Sequence, residues 1–145
     1  MTRYKARLVA KGFNQLPKRD FDERWEPVPI AAATRALSDV AAATGCKVHH
    51  VEFKTAFLNA KMGKGMYIKL FDGFDLKGLE EMFRLNLACC GTKQAGRVWG
   101  ITLDEELKEI GAVRSKVDPG LYDWCHLVNW RVLISVYVDD LIVAG

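Results

Sequence analysis

The amino-acid sequence predicts an α+β fold in which helices cover one face of a largely antiparallel sheet. Three observations support it. Several short segments alternate apolar and polar residues, which is typical of strands, and two longer segments repeat apolar residues every three or four positions, which is typical of helices. The C-terminal third is rich in Val, Ile, Leu, Tyr and Trp, so strands dominate there.

The first half of the chain is predicted to contain three strands and one helix. Tyr4 to Lys11 alternates and predicts a strand with a mostly basic face. Prolines break the following stretch into a loop, and an alanine-rich segment from Thr34 to Thr44 then predicts a helix that Gly45 ends. Further strands are predicted from Cys46 to Phe53 and from Met66 to Leu70.

The second half contains the clearest helical pattern. Between Gln94 and Ile110 the apolar residues recur at spacings of four, four and three, and Gly111 follows as a stop. Two strands are predicted after it, from Leu121 to Leu127 and from Arg131 to Val138.

Length and charge limit the possible functions. The 145 residues can form one core but not a second full domain. The net charge of +3 does not by itself indicate a nucleic-acid partner, yet residues 1–19 contain six Lys or Arg side chains and no acidic one. Positive potential is therefore concentrated at one end.

The sequence has no feature of a secreted or membrane protein. No window approaches the ~20 apolar residues of a membrane span, and no apolar signal segment follows the N-terminus. The four cysteines form neither a C-x-x-C pair nor a disulfide framework, so we expect them to be reduced and buried. We expect an intracellular protein, cytoplasmic or nuclear, with no membrane partner.

The most unusual feature is a pair of aspartates, Asp139 and Asp140, inside the apolar run from Val136 to Val143. Two unit charges ~4 Å apart repel by roughly 4 kcal/mol at an effective dielectric constant of ~20, so a pair in apolar surroundings favours a cation. The alternative is a solvated pair at the tip of a hairpin, because aspartate is common in turns. These local grounds leave both interpretations open.

Glu52 is a third candidate carboxylate at the end of a different predicted strand. A sheet that placed the two strands side by side would bring three acidic groups together. Mg²⁺ takes a few carboxylates completed by water and substrate phosphates, and two such ions stabilise a phosphoryl displacement. Taken alone, Glu52 is more often a solvated strand-end residue.

Five segments resemble the reverse transcriptase of copia-type long-terminal-repeat retrotransposons, in family order and at family-like spacing. They are YKARLVAKGF at Tyr4–Phe13, KTAFLN at Lys54–Asn59, KQAGRVW at Lys93–Trp99, SKVDPGLY at Ser115–Tyr122 and YVDDLIVAG at Tyr137–Gly145. The resemblance implies a fingers–palm fragment of a right-hand polymerase, with residues 1–45 fingers-like and 46–145 palm-like. It also implies a Pol polyprotein whose thumb, ribonuclease H and integrase parts are absent from this chain.

The resemblance implies RNA-directed DNA polymerase activity, with Mg²⁺ (or Mn²⁺) as cofactor, a primed RNA or DNA template and deoxynucleoside triphosphates as partners. Asp139, Asp140 and Glu52 inherit the family's catalytic, metal-binding positions. Four further residues match nucleotide-site positions: Lys5 and Arg7 for the triphosphate, Phe57 under the sugar, and Gln94 at the start of the pocket helix. The alternatives are a solvated basic face for Lys5 and Arg7 and a core position for Phe57.

Three residues depart from the family pattern. Glu52 stands where the family has aspartate, and the additional methylene moves the carboxylate by roughly 1 Å, enough to cost ~10²-fold in rate. Gly96 replaces the usual proline and Cys90 an aromatic residue. These changes suit a degenerate or truncated copy. The alternative function is an inactive remnant with nonspecific nucleic-acid binding, and a purely structural or interaction role also stays open.

Overall fold

The computed structural model describes residues 4, 6–69, 82–127 and 130–145. These residues form a five-stranded antiparallel sheet, a separate two-stranded sheet and two α-helices. The helices are α1 (Ala31–Thr44) and α2 (Ala95–Glu109), and the strands are β1 (Val48–Glu52), β2 (Lys61–Lys69), β3 (Met82–Leu87), β4 (Val113–Arg114), β5 (Leu121–Leu127), β6 (Trp130–Tyr137) and β7 (Asp140–Ala144).

The larger sheet has the strand order β1-β7-β6-β5-β4, and every neighbouring pair is antiparallel. β6 and β7 form a tight hairpin, because Tyr137 pairs directly with Asp140 and only Val138 and Asp139 lie between them. β1 is the edge strand beside β7. The predicted α+β class and antiparallel sheet are confirmed.

The two helices pack on opposite faces of this sheet, so the prediction that helices cover one face is wrong. Ile134, Val136 and Leu141 belong to the larger core with α2, whereas Leu133 and Ile142 pack with α1. Apolar residues occupy both alternating sets of positions along β6 and β7. Such strands bury both faces, and each face therefore needs its own helix.

The sequence predicts a strand with a basic face from Tyr4 to Lys11. This prediction is wrong for the described residues of the segment. Residues 6–11 are irregular and almost entirely exposed. The Ala10 amide donates to the Cys90 carbonyl at 2.8 Å, and a short 3-10 helix follows at Gly12–Asn14. Alternation indicates which side chains share a face, but a strand also needs a neighbour to complete its hydrogen bonds. Lys5 lies outside the described residues.

Several element boundaries differ from the sequence expectations. α1 begins at Ala31, where the Ile30 amide donates to the Asp118 carboxylate at 2.9 Å, and it ends at Gly45 in the left-handed conformation as predicted. β2 begins earlier than expected, at Lys61, while the predicted end at Leu70 lies outside the described residues. β3 and β4 were not predicted, although Phe83, Leu85 and Leu87 alternate with polar residues along β3.

The prediction that the cysteines are buried is wrong in part. All four cysteines are free thiols, and Cys89 is buried. Cys46 and Cys125 are exposed, because each lies at a rim of the large sheet rather than in a core.

Candidate active site at the aspartate hairpin

The candidate site is built on the β6–β7 turn and the end of β1. Glu52 is directly opposite Asp140 in the β1–β7 register. The next residue, Phe53, donates its amide hydrogen to the Asp139 carbonyl at 2.8 Å. The expectation that these two strands lie side by side is therefore confirmed, and directly opposed residues on antiparallel strands have Cβ atoms ~4.5–5.5 Å apart.

The turn is held from the α2 side by Trp99. Its indole Nε1 donates to the carbonyl of Val138 at 2.7 Å, and the side chain is only 3% exposed. The Trp99 ring also meets the ring of Phe53 edge to face, with centroids 5.2 Å apart. Sequence reasoning treated Trp99 as a packing residue only, because helical periodicity carries no information about an indole N–H.

Asp140 has a partner on the neighbouring strand. The His50 Nε2 atom lies 2.8 Å from the Asp140 Oδ1 atom, and both side chains are about half exposed or more. Because β1 alternates, His50 and Glu52 share the face of the sheet that also presents Asp140. From the sequence alone, His50 is interpreted as an ordinary strand residue.

Glu26 is a fourth carboxylate near the turn, and no sequence pattern pointed to it. It packs against the first turn of α2, where a Cβ added to Gly96 would lie 2.1 Å from Glu26 Oε2. Its Oε1 atom is buried and has no hydrogen-bond partner among the described residues. Burial, and then the negative charge of Asp139, raise the pKa of Glu26 above its ordinary value.

The carboxylates around the turn suit a hard divalent cation in their chemistry. Within the described residues, neither the Glu52 nor the Asp139 carboxylate has a hydrogen bond or ion pair, and Glu26 contributes an unpartnered carboxylate oxygen nearby. Carboxylate oxygens are the ligands that Mg²⁺ takes. No three His, Cys, Asp or Glu side chains of the described segments are already arranged as a ligand group, so binding needs side-chain rotation at this exposed site.

Gln94 sits in a polar network at the start of α2. The Gln15 side chain donates to Gln94 Oε1 at 2.9 Å, while its own Oε1 accepts the Lys93 amide hydrogen at 2.7 Å. Gln15 and Met66, which both contact Gln94, line a cavity of about 800 Å³ between residues 8–20 and β2. Gln15 was missed because nothing in the local sequence distinguishes it from a solvated loop amide.

Two of the other predicted nucleotide-site residues, Phe57 and Arg7, are described, whereas Lys5 lies outside the described residues. Phe57 lies in a short 3-10 helix, half-buried, and packs against the larger core, which is the alternative that the sequence left open. Arg7 is exposed on the irregular N-terminal segment. The structure places Glu52 opposite Asp140, with Asp139 next in the turn, and it joins Gln94 to Gln15, which lines the cavity.

A carboxylate hairpin at the centre of an antiparallel sheet, flanked by a helix on each face, is compatible with a nucleotidyl-transfer polymerase. The chain belongs to the reverse transcriptase (RNA-dependent DNA polymerase) family, whose model matches residues 1–145.

Curated relatives agree over the whole chain. It is 34% identical to the retrovirus-related Pol polyprotein from transposon TNT 1-94 of Nicotiana tabacum. It is 35% identical to the retrovirus-related Pol polyproteins from transposons RE2 and RE1 of Arabidopsis thaliana. The chain is covered completely in each case but spans only 10–11% of the length of these relatives. No solved structure matches it. No helix among the described residues could cross a membrane.

Proposed function

We propose that this chain is the template-directed nucleotidyl-transfer part of a copia-type retrotransposon reverse transcriptase. Residues 1–45 would be fingers-like and residues 46–145 palm-like, within a longer Pol product that acts inside the cell. The observation that carries the proposal is the direct pairing of Glu52 with Asp140, with Asp139 at the tip of the same hairpin.

Glu52, Asp139 and Asp140 would hold Mg²⁺, or Mn²⁺ in its place. A bound divalent ion supplies Lewis-acid activation of a primer hydroxyl and neutralises triphosphate charge, as in two-metal sites. This chain's own residues set where the carboxylates stand. The β1–β7 ladder fixes the spacing of Glu52 and Asp140, and His50 orients Asp140 through its Oδ1 atom.

The proposed substrates are a primed RNA or DNA template and deoxynucleoside triphosphates. Lys5 and Arg7 would contact the triphosphate, which suits the positive end of the chain. Gln94 would line the nucleotide pocket, and its bond to Gln15 ties the N-terminal segment to α2. Phe57 would limit the space beneath the sugar.

The test is primer extension on a poly(rA)·oligo(dT) template with Mg²⁺ and with Mn²⁺. We compare the native chain with Glu52→Asp, Asp139→Asn and Asp39→Asn. Asp39 is an exposed residue of α1, so Asp39→Asn makes the same chemical change away from the hairpin. We expect metal-dependent extension that Asp139→Asn abolishes, Asp39→Asn preserves, and Glu52→Asp raises by up to ~10²-fold.

Absence of extension by every form, including Glu52→Asp, would contradict polymerase activity of this chain. That result would favour the second candidate, an inactive remnant of a degenerate or truncated copy. One observation supports that candidate: position 52 holds glutamate where the family has aspartate. Such a remnant would bind nucleic acid nonspecifically, with an affinity that falls with salt and ignores the divalent ion.

A further inference from the structure

The β6–β7 turn places an unfavourable residue at its first central position. Val138 has a φ of +55°, in the left-handed region. Two-residue hairpin turns need a positive φ there and favour Gly, Asn or Asp. A β-branched residue with positive φ is a true outlier, because its side chain crowds the backbone. Local sequence therefore disfavours this turn, and a tertiary contact has to maintain it.

The Trp99 indole contacts this turn. Its N–H donates to the carbonyl oxygen of Val138 itself, at 2.7 Å. Rotation of the peptide that follows Val138 would move this acceptor away and leave the N–H of a side chain that is 3% exposed without a partner. The hydrogen bond therefore selects one orientation of the peptide that leads into Asp139.

The second peptide of the turn is held by a residue that touches Trp99. Phe53 donates its amide hydrogen to the Asp139 carbonyl at 2.8 Å, and its ring meets the Trp99 ring edge to face. Both turn carbonyls are thus bound by one aromatic pair, which joins α2 to the end of β1.

We propose that Trp99 is a positioning residue for the candidate active site: its indole N–H holds Val138 in the left-handed conformation and thereby fixes Asp139. The part of this inference that concerns metal binding rests on the proposed function. The positioning itself does not, and the two are tested by different measurements.

Amide hydrogen exchange tests the positioning. The reporter is the Phe53 amide, whose acceptor is the turn itself. The control is the Lys47 amide, which donates to the Gly145 carbonyl at 3.1 Å at the other end of the same pair of strands. A loss of global stability accelerates both amides, whereas release of the turn accelerates Phe53 selectively.

The first variant is Trp99→Phe, which removes the N–H and keeps an aromatic ring. Benzothienylalanine at position 99 removes the same N–H while keeping the ring volume, so it separates hydrogen bonding from packing. Val138→Gly removes the cost of a positive φ and makes the turn independent of the indole. The double variant combines Trp99→Phe with Val138→Gly.

We expect loss of the indole N–H to accelerate Phe53 exchange by roughly tenfold and Lys47 exchange by less than about twofold. In the Val138→Gly background the same loss changes Phe53 exchange by less than about twofold. Equal acceleration of both amides, or an undiminished effect in the glycine background, would overturn the proposal.

Mn²⁺ binding, followed by the EPR signal of the free ion, tests the consequence for the site. We expect Trp99→Phe to weaken Mn²⁺ binding several-fold and Val138→Gly to restore it, because supporting contacts typically contribute about 10-fold or more to metal affinity. Unchanged affinity in Trp99→Phe would overturn the link to the site. Absence of Mn²⁺ binding by the native chain would contradict the proposed function, while the exchange comparison still decides the role of Trp99.

Discussion

At the scale of single residues, the unpartnered carboxylate of Glu26 makes the stability of the fold depend on pH. Its pKa is raised in the folded chain by burial and by the charge of Asp139, so folding favours the protonated form. The stabilisation that comes from protonated Glu26 is present at low pH. It is lost as the pH rises from the pKa of Glu26 in the unfolded chain, ~4.5, through its raised pKa in the folded chain. Glu26 therefore destabilises the fold at neutral pH.

We predict that Glu26→Gln raises the thermal midpoint at pH 7 and has little effect at pH 4, because the amide is neutral at both values. Thermal unfolding followed by circular dichroism at the two pH values measures this difference. Glu105→Gln, which changes an exposed carboxylate of α2, is the control. An equal gain at pH 4 and pH 7 would contradict the electrostatic explanation.

Gly96 is small because Glu26 occupies the space beside it. An added Cβ would approach Glu26 Oε2 to 2.1 Å, whereas a Cβ on Gly100, one turn further along α2, meets its nearest atom in Pro27 at 3.4 Å. Both glycines lie in a helix, where alanine is favoured by ~1 kcal/mol. The two positions therefore differ mainly in the available space.

We predict that Gly96→Ala stabilises the chain less than Gly100→Ala does, because only the Glu26 carboxylate has to move to make room for the new methyl group. In the double variant Gly96→Ala/Glu26→Ala, we expect the full stabilisation that alanine gives over glycine in a helix, because the clash is then removed. Urea unfolding of the single and double variants measures the coupling. Additive effects of Gly96→Ala and Glu26→Ala would show that the two side chains do not compete for one space.

At the scale of elements, α2 is attached to β5 by a polar contact beside the core. The Tyr122 hydroxyl donates to Asp104 Oδ1 at 2.8 Å, and Lys108 donates to the other carboxylate oxygen at 2.7 Å. Burial opposes the ionisation of Asp104, but these hydrogen bonds and the charge of Arg114 together lower its pKa. Burial and the bond to Asp104 raise the pKa of Tyr122.

We predict that Asp104→Ala lowers the free energy of unfolding by about 2 kcal/mol at pH 7, because it leaves the largely buried hydroxyl of Tyr122 without an acceptor. Since the folded pKa of Asp104 is lowered, its contribution is present above the unfolded value of ~3.9 and is lost as the pH falls through the folded value. Urea unfolding at pH 7 and pH 3 measures both effects. Glu105→Ala, an exposed neighbour, serves as the control, and an equal loss there would contradict the assignment.

At the scale of the whole molecule, positive charge is concentrated in residues 1–19. Only part of it is compensated, because Arg19 pairs with Asp20 at 3.0 Å whereas Arg7 and Lys11 have no ion pair among the described residues. The exposed, irregular segment leaves these side chains accessible to a phosphate backbone.

We predict that Arg7→Gln combined with Lys11→Gln reduces the slope of log affinity against log salt for duplex DNA by about 1–2, because each phosphate contact contributes about 0.9. Fluorescence anisotropy between 50 and 200 mM salt measures the slope. Arg35→Gln on α1, also an exposed cation, should leave it unchanged. The same decrease in Arg35→Gln would show that net charge, rather than this segment, controls binding.

Periodicity and apolar runs are local properties of the chain, so they were sufficient to predict the α+β class, α2, the C-terminal strands and the aspartate hairpin. It also placed Glu52 at the end of a strand, which its register with Asp140 confirms. The N-terminal strand was wrong because alternation does not supply a partner for the backbone hydrogen bonds.

The packing of separate elements determines which faces of the sheet the helices cover and which side chains surround the hairpin. Trp99, His50 and Glu26 meet the turn from α2, β1 and a loop, over sequence separations of 39, 90 and 113 residues. No local pattern encodes such contacts, because each depends on how separate elements pack. The charged residues could be identified from the sequence, but packing determines the contacts that hold them in place.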